Sequence, residues 1–277
     1  MVDLHTHSTF SDGTMTPEKL VKYAERRGVE VLALTDHDTV AGLDDFLSVQ
    51  SAVERVPGIE ISVAYYPGEF HLVGLFIDHR NEYLLKTLTK LRDSRRSRND
   101  ILIKRVGELV GRRLSENDFR NGNDGELGRP HIANFLIKAG LAVNMQDAFD
   151  RYIGTGGSLF IEKERLDFHQ ALNLVHEAGG AAVLAHPLTL EVEERYLNGF
   201  MKYLKGLGLD GMEVWCSDTP EEKFAMFERI AAEQELFMSG GSDFHGDNNL
   251  GIALGTGKGS VNIPYSVYAK LKERFQR

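Results

Sequence analysis

Short apolar runs rich in β-branched residues recur along the chain, separated by segments whose apolar positions follow the helical period. The pattern predicts strands near residues 2–7, 29–35, 56–64, 71–77, 181–185, 211–215 and 236–240. Thr16-Pro17-Glu18 supplies a capping residue and a proline for a first helical turn, and that helix stops at Gly28. Further helices are expected from Asp38-Thr39 onward and over 168–178, 191–205, 220–235 and 265–275. Alternating strands and helices imply a mostly parallel α/β sheet. About seven strands, with metal-binding residue types at strand ends, favour a closed barrel over an open doubly wound sheet, because barrel sites collect on one rim. Residues 81–153 break the alternation. They read as a helical insertion (cap) domain between the fourth and fifth strands, leaving 1–80 and 154–277 as the barrel. Within the insertion, residues 92–113 carry eight basic and three acidic side chains, a local net of +5.

The 277 residues suit one large domain with an insertion. The net charge of −9 argues against a dedicated binder of long nucleic acid, although a metal site can reverse the charge locally. Cys216 is the sole cysteine, which excludes an intrachain disulfide and suits a reducing cytoplasm. The first motif begins at residue 3, so no signal peptide is expected before it. No apolar run approaches the roughly 18 residues of a membrane span. A cytoplasmic protein without membrane attachment or obligate protein partner is the expectation.

The chemistry sits where the apolar runs end. His5 and His7 are two apart on a strand, so both project from one face toward one ion. Asp12 follows in Ser11-Asp12-Gly13, and Asp36-His37-Asp38 closes the second apolar run. Glu60 lies among apolar neighbours, where a lone carboxylate is costly to bury and a metal would balance it. His71, His186 and Asp243-Phe244-His245 repeat the pattern at later strands. Glu213, inside Met212-Glu213-Val214-Trp215, reads equally well as a pocket residue or as half of an ion pair.

This set resembles the PHP (polymerase and histidinol phosphatase) superfamily of metal-dependent phosphoesterases. His5-Thr6-His7, Thr35-Asp36-His37-Asp38, Gly58-Ile59-Glu60, His71, His186 and Asp243-Phe244-His245 carry the resemblance, which spans almost the whole chain. The match is to stand-alone members with a helical insertion, which act on nucleoside 3′,5′-bisphosphates or trim short RNA from the 5′ end. Asp12 fits that group's first loop, and Gly128-Arg129-Pro130-His131 fits a segment of its insertion. The resemblance implies a distorted, TIM-like (β/α)7 barrel and three divalent ions. His5, His7, Glu60 and Asp243 would hold the first ion. Asp12, His37 and His245 would hold the second, and Glu60 would bridge to a third completed by His71 and His186. Imidazole and carboxylate donors suit Mn²⁺, with Fe²⁺ or Zn²⁺ as alternatives.

Three divalent ions against Asp12, Glu60 and Asp243 leave a centre of about +3 that attracts a phosphate dianion. The expected activity is phosphomonoester hydrolysis of a nucleotide-type substrate, through in-line attack of a metal-bridging hydroxide. Asp36, His37 and Asp243 are the residues expected to carry catalysis. Asp36 and Asp38 would act behind the ligands, orienting them or moving protons. Arg129, His131 and Lys163 are the expected substrate-binding residues, since a guanidinium matches phosphate oxygens in pairs. Three other readings compete: a 5′-3′ exoribonuclease on short oligonucleotides, a histidinol-phosphate-type phosphatase, and a non-catalytic metal-binding module.

Overall fold

The computed structural model describes residues 1–119 and 127–276. The chain divides into two compact units, Met1–Leu88 with Arg165–Arg277, and Thr89–Glu164. In the first unit a seven-stranded sheet follows chain order: β1 (Val2–Asp3), β2 (Val31–Leu34), β3 (Glu54–Val63), β4 (Phe70–Leu75), β5 (Ala181–Leu184), β6 (Gly211–Cys216) and β7 (Phe237–Gly241). The first and last strands meet. Leu4 N–H donates to the Gly240 carbonyl at 3.2 Å, Asp243 N–H to that of His5 at 2.9 Å, and His7 N–H to that of Phe244 at 3.0 Å. This seam closes the sheet into a barrel, which removes exposed edges.

The helices are α1 (Pro17–Arg27), α2 (Leu43–Ser48), α3 (Glu82–Val110), α4 (Arg129–Lys138), α5 (Met145–Ala148), α6 (Phe168–Glu177), α7 (Glu194–Leu207), α8 (Phe224–Glu233) and α9 (Tyr265–Phe275). The boundary between the units falls inside α3. Local chemistry explains α1: Thr16 Oγ1 accepts the Lys19 N–H, Pro17 opens the first turn, and Gly28 ends the helix at φ 73°. Leu20, Val21 and Ala24 form its buried face. All four residues of β2 are buried, as expected of a strand covered on both sides.

The sheet is mostly parallel, as expected, but β4 runs antiparallel to both β3 and β5. Only residues 64–69 separate β3 from β4, and a parallel crossover needs about a dozen or more. His71 stands near the start of β4 and Glu60 inside β3, where the predicted strands 71–77 and 56–64 put them, and β3 continues past the rim to Val63. One expectation needs correction: no helix starts at Asp38-Thr39. Asp38 has φ 52°, its N–H donates to the Glu60 carbonyl at 2.8 Å, and its Oδ1 accepts the Ser62 N–H at 3.1 Å. Those ties to β3 delay α2 until Leu43.

The second unit is helical and holds its own apolar core, which includes Val106, Ile132, Ala133, Leu136, Ala148 and Ile153. On α3 and just beyond it, Arg92, Arg96, Lys104, Arg105, Arg112 and Arg113 are exposed, whereas Arg98 is buried.

The seam yields a test. A Cβ on Gly241 would lie 2.4 Å from both the backbone nitrogen and the Cβ of His5. Gly241→Ala should cost on the order of 1–3 kcal/mol or more, the usual range for overpacking. It should lower the midpoint of urea unfolding. An unchanged midpoint would mean the seam tolerates displacement at His5.

Candidate metal centre

The barrel rim gathers the imidazoles and carboxylates that the sequence distributes over its whole length. Past β1 the chain stays extended, with Thr6 paired to both sides: to Thr35 across the β2 end and to Phe244 across the seam. His5 and His7 consequently share the inward face. His37 follows β2 and bridges to Glu60 on β3, while His71 comes from β4 and His186 follows β5. Asp243 and His245 follow β7.

Three groups of donor atoms result: His5, His7, Glu60 and Asp243; His7, Asp12, His37 and His245; and His37, Glu60 and His71. Glu60 is shared by the first and third groups, His7 by the first and second, and His37 by the second and third; the two oxygens of Glu60 face different partners. Oε2 lies 3.3 Å from Nε2 of His5, 3.3 Å from Nε2 of His7 and 3.0 Å from Nδ1 of His37. Oε1 lies 3.0 Å from Nδ1 of His71 and 3.0 Å from Nε2 of His186. Asp243 Oδ1 completes the first group, 3.4 Å from His5 and 3.1 Å from His7. Asp12 Oδ1 is 3.3 Å from Nε2 of His245 and 3.6 Å from Nδ1 of His7.

The donor set fits divalent ions. His5 Nε2, His7 Nε2 and Glu60 Oε2 are buried, converge, and lack a hydrogen-bond partner of acceptable geometry. Buried polar groups left that way are costly. Two donors each about 2.1 Å from one ion stand about 3.0 Å apart at a right angle and about 3.4 Å apart at the tetrahedral angle. Most of the spacings above fall in that interval. Nitrogen and oxygen donors without thiolate suit Mn²⁺, Fe²⁺ or Zn²⁺ at a site that also takes substrate.

Behind the ligands stands a layer of carboxylates, of which the sequence pointed to Asp36 and Glu213 but not to Asp3. Asp36, expected among the catalytic residues, is buried and accepts from Ser8 N–H at 2.7 Å, Ser8 Oγ at 2.6 Å and Ser11 Oγ at 2.6 Å. It fixes the segment after His7 and belongs to none of the three groups. Asp3 does the same for the segment before Asp243, accepting from Ser242 N–H at 2.8 Å and Ser242 Oγ at 2.6 Å. Glu213 faces inward, with Oε1 2.8 Å from His5 Nδ1. Its signal in the sequence was a carboxylate inside an apolar strand. Asp3 and the serines carried none.

The expected substrate-binding residues belong to the second unit. The Arg129 guanidinium lies 5.3 Å from the Phe160 ring centroid and 3.5 Å from the Ile161 carbonyl oxygen. His131 Nδ1 accepts the Gly128 N–H at 3.0 Å, capping the start of α4. Lys163 is half-buried and lies outside any helix or strand, near the end of the second unit's sequence range.

Burial is the largest influence on each candidate ligand of the rim. For His5 the facing carboxylates of Glu213, Glu60 and Asp243 outweigh it and hold the imidazole well above the usual histidine range. His7, His37, His186 and His245 are raised as well. At His71 burial prevails over Glu60, and the imidazole is lowered. Burial would raise Glu60, but His37, His5 and His71 hold it well below the carboxylate range. Asp12 and Asp243 are likewise held low against burial by neighbouring imidazoles.

A model of the PHP domain family matches residues 3–207. Over 88% of its length the chain is 37% identical to the 5′-3′ exoribonuclease of Haemophilus influenzae, of which it covers 89%. Over its full length it is 28% identical to the 3′,5′-nucleoside bisphosphate phosphatase of Chromobacterium violaceum, of which it covers 98%. A crystal structure from Bifidobacterium adolescentis, of a protein proposed to be a metal-dependent phosphoesterase, superposes with a TM-score of 0.79 at 28% identity. The match covers 99% of this chain and 96% of that one.

The raised imidazoles set the sign of a pH effect. Before ions bind they hold protons at pH values where an ordinary histidine has lost them, and an ion must displace those protons. Affinity should therefore fall as pH falls through the raised values. Calorimetric titration with Mn²⁺ at neutral pH, in buffers of different ionisation enthalpy, should show release of about one proton or more per ion. An enthalpy independent of buffer would contradict this.

Proposed function

Because the chain belongs to the PHP domain family, we propose that it is a metal-dependent phosphoesterase that hydrolyses a phosphomonoester of a nucleotide-type substrate, a nucleoside 3′,5′-bisphosphate or a nucleoside monophosphate. The observation that supports this reading most is Glu60, whose two oxygens face separate sets of imidazoles. That arrangement suits several ions held side by side. We assign the three positions to His5, His7, Glu60 and Asp243; to Asp12, His37 and His245; and to Glu60, His71 and His186. Mn²⁺ is the preferred occupant, with Fe²⁺ or Zn²⁺ as alternatives. When bound, such ions supply positive charge for phosphoryl oxygens and lower the pKa of water.

The chain's own part follows from exposure. His5, His7 and Glu60 are closed off from solvent, whereas the Asp12 side chain is 54% exposed and that of His37 is 22% exposed. A phosphate therefore enters from the side of Asp12, His37 and His245. His37 and Asp243 hold the reacting region, and Asp36 keeps it in register through Ser8 and Ser11. The substrate body is assigned to Arg129, His131 and Lys163, a reading carried by the Gly128-Arg129-Pro130-His131 segment.

A 5′-3′ exoribonuclease acting on short oligonucleotides is the second reading. The exposed basic residues of α3 and the exoribonuclease relative favour it. A cytoplasmic location is part of this proposal; among the described residues no helix is long and apolar enough to cross a membrane.

Turnover of adenosine 3′,5′-bisphosphate, AMP, histidinol phosphate and a short 5′-phosphorylated RNA tests these assignments. The bisphosphate should be hydrolysed best. A dominant RNA activity would transfer the assignment to the exoribonuclease, and good hydrolysis of histidinol phosphate with an inert bisphosphate would overturn both. His37→Ala and Asp243→Ala should each lower kcat by at least about 100-fold, as loss of a single electrostatic stabiliser does, with circular dichroism unchanged. Arg129→Ala should raise KM for the bisphosphate more than for AMP. Equal effects would remove Arg129 from recognition of a second phosphate.

A further inference from the structure

Glu213 stands in the middle of β6, among Gly211, Met212, Val214 and Trp215, and is 1% exposed. It belongs to none of the three donor groups, yet both of its oxygens are committed to residues of the rim. Oε1 lies 2.8 Å from Nδ1 of His5. Oε2 accepts the backbone N–H of His186 at 2.7 Å.

Each contact constrains a donor atom. A carboxylate oxygen accepts, so the contact to His5 places the imidazole proton on Nδ1. The free lone pair then sits on Nε2, the atom that faces Glu60 Oε2 and Asp243 Oδ1 and has no hydrogen-bond partner. The contact to His186 acts on the backbone. His186 has φ 26° and ψ 70°, positive for a residue with a Cβ. Its N–H is anchored by Glu213, its Nδ1 is 2.9 Å from Thr189 Oγ1, and its Nε2 is thereby set 3.0 Å from Glu60 Oε1. His7 has looser support: Ser11 Oγ is 3.4 Å and Asp12 Oδ1 3.6 Å from its Nδ1.

We propose that Glu213 is a positioning residue for the ion centre, fixing the Nδ1–H tautomer of His5 and the strained backbone of His186 together, so that one buried carboxylate couples donors from the β1 and β5 ends of the rim. The proposal rests on the ion-binding reading of the donor set and is independent of the substrate. Glutamine at this position keeps the shape but offers one acceptor oxygen for two donors, and it removes the negative charge that strengthens His5 as a ligand.

The test compares the wild-type chain with Glu213→Gln, each stripped of ions and titrated with Zn²⁺, a diamagnetic probe. Affinity should fall about 10–100-fold in the variant, the usual effect of losing such a support. Nitrogen-15 NMR of the histidines in the Zn²⁺-loaded wild type should show His5 with its proton on Nδ1 and Nε2 coordinated, with the resonance assigned by loss in His5→Gln. The variant should lose that single tautomer while its ion-free circular dichroism stays that of a folded chain. Unchanged affinity in a folded variant, or coordination of His5 through Nδ1, would overturn the proposal. The NMR result on the wild type decides even if the variant fails to fold. A wild type that takes up no Zn²⁺ would sink the ion-binding reading itself, whereas equal uptake by both chains sinks the role of Glu213 alone.

Discussion

One buried carboxylate organises the first unit. Glu60 is almost fully enclosed, and an uncompensated charge in that position would carry a large desolvation cost. The fold answers with five imidazoles from different parts of the barrel, each 3.0 to 3.3 Å from one of its oxygens. Those imidazoles arrive from the ends or starts of β1, β2, β4 and β5, so the strands must reach the rim in register. Barrel closure and site geometry are therefore one constraint. A slip of one residue in any strand would turn its imidazole away from Glu60.

The reversed strand β4 serves the same end. In an all-parallel barrel every rim donor comes from a strand C-terminus. Here β3 overshoots the rim, turns back through residues 64–69, and delivers His71 at the second position of β4. Ser62 pairs with His71, two residues beyond Glu60 on the neighbouring strand. That diagonal places Glu60 and His71 on the same face. The short connection supplies a donor from a hairpin without lengthening the barrel by a helix.

Much of this was legible in the sequence, and the physical reason is burial. Strands such as Val31–Leu34 are apolar on both faces, so their ends stand out when a charged cluster such as Asp36-His37-Asp38 follows. The imidazoles and carboxylates at those ends are rare residue types for such positions and are visible for that reason. The mostly parallel order followed from the alternation of strands and helices, whereas the reversal of β4 shows only in the short connection between the predicted strands 56–64 and 71–77, not in their periodicity. The turn at Asp38 also went unread: its positive φ is stabilised by Glu60 and Ser62, which are distant in the chain. The serines of the supporting layer were hidden most completely. Ser8, Ser11 and Ser242 are ordinary polar residues until Asp36 and Asp3 are seen to accept from them.

That supporting layer explains why a flexible set of side chains can hold a fixed arrangement. Asp3 and Asp36 each receive a serine N–H and the same serine's hydroxyl, so each pins the backbone next to a donor rather than the donor itself. Ser8 follows His7, and Ser242 precedes Asp243, which has φ 54°. A residue held at positive φ needs surroundings that over-determine it. Fixing the backbone on one side leaves the side-chain torsions to be set by packing among the rings, such as His7 against His245 at a centroid distance of 4.0 Å. The ligand atoms are thus located by two independent restraints, one from the main chain and one from ring packing. Donors restrained in both ways lose little further entropy when an ion binds, which is the physical content of a preorganised centre.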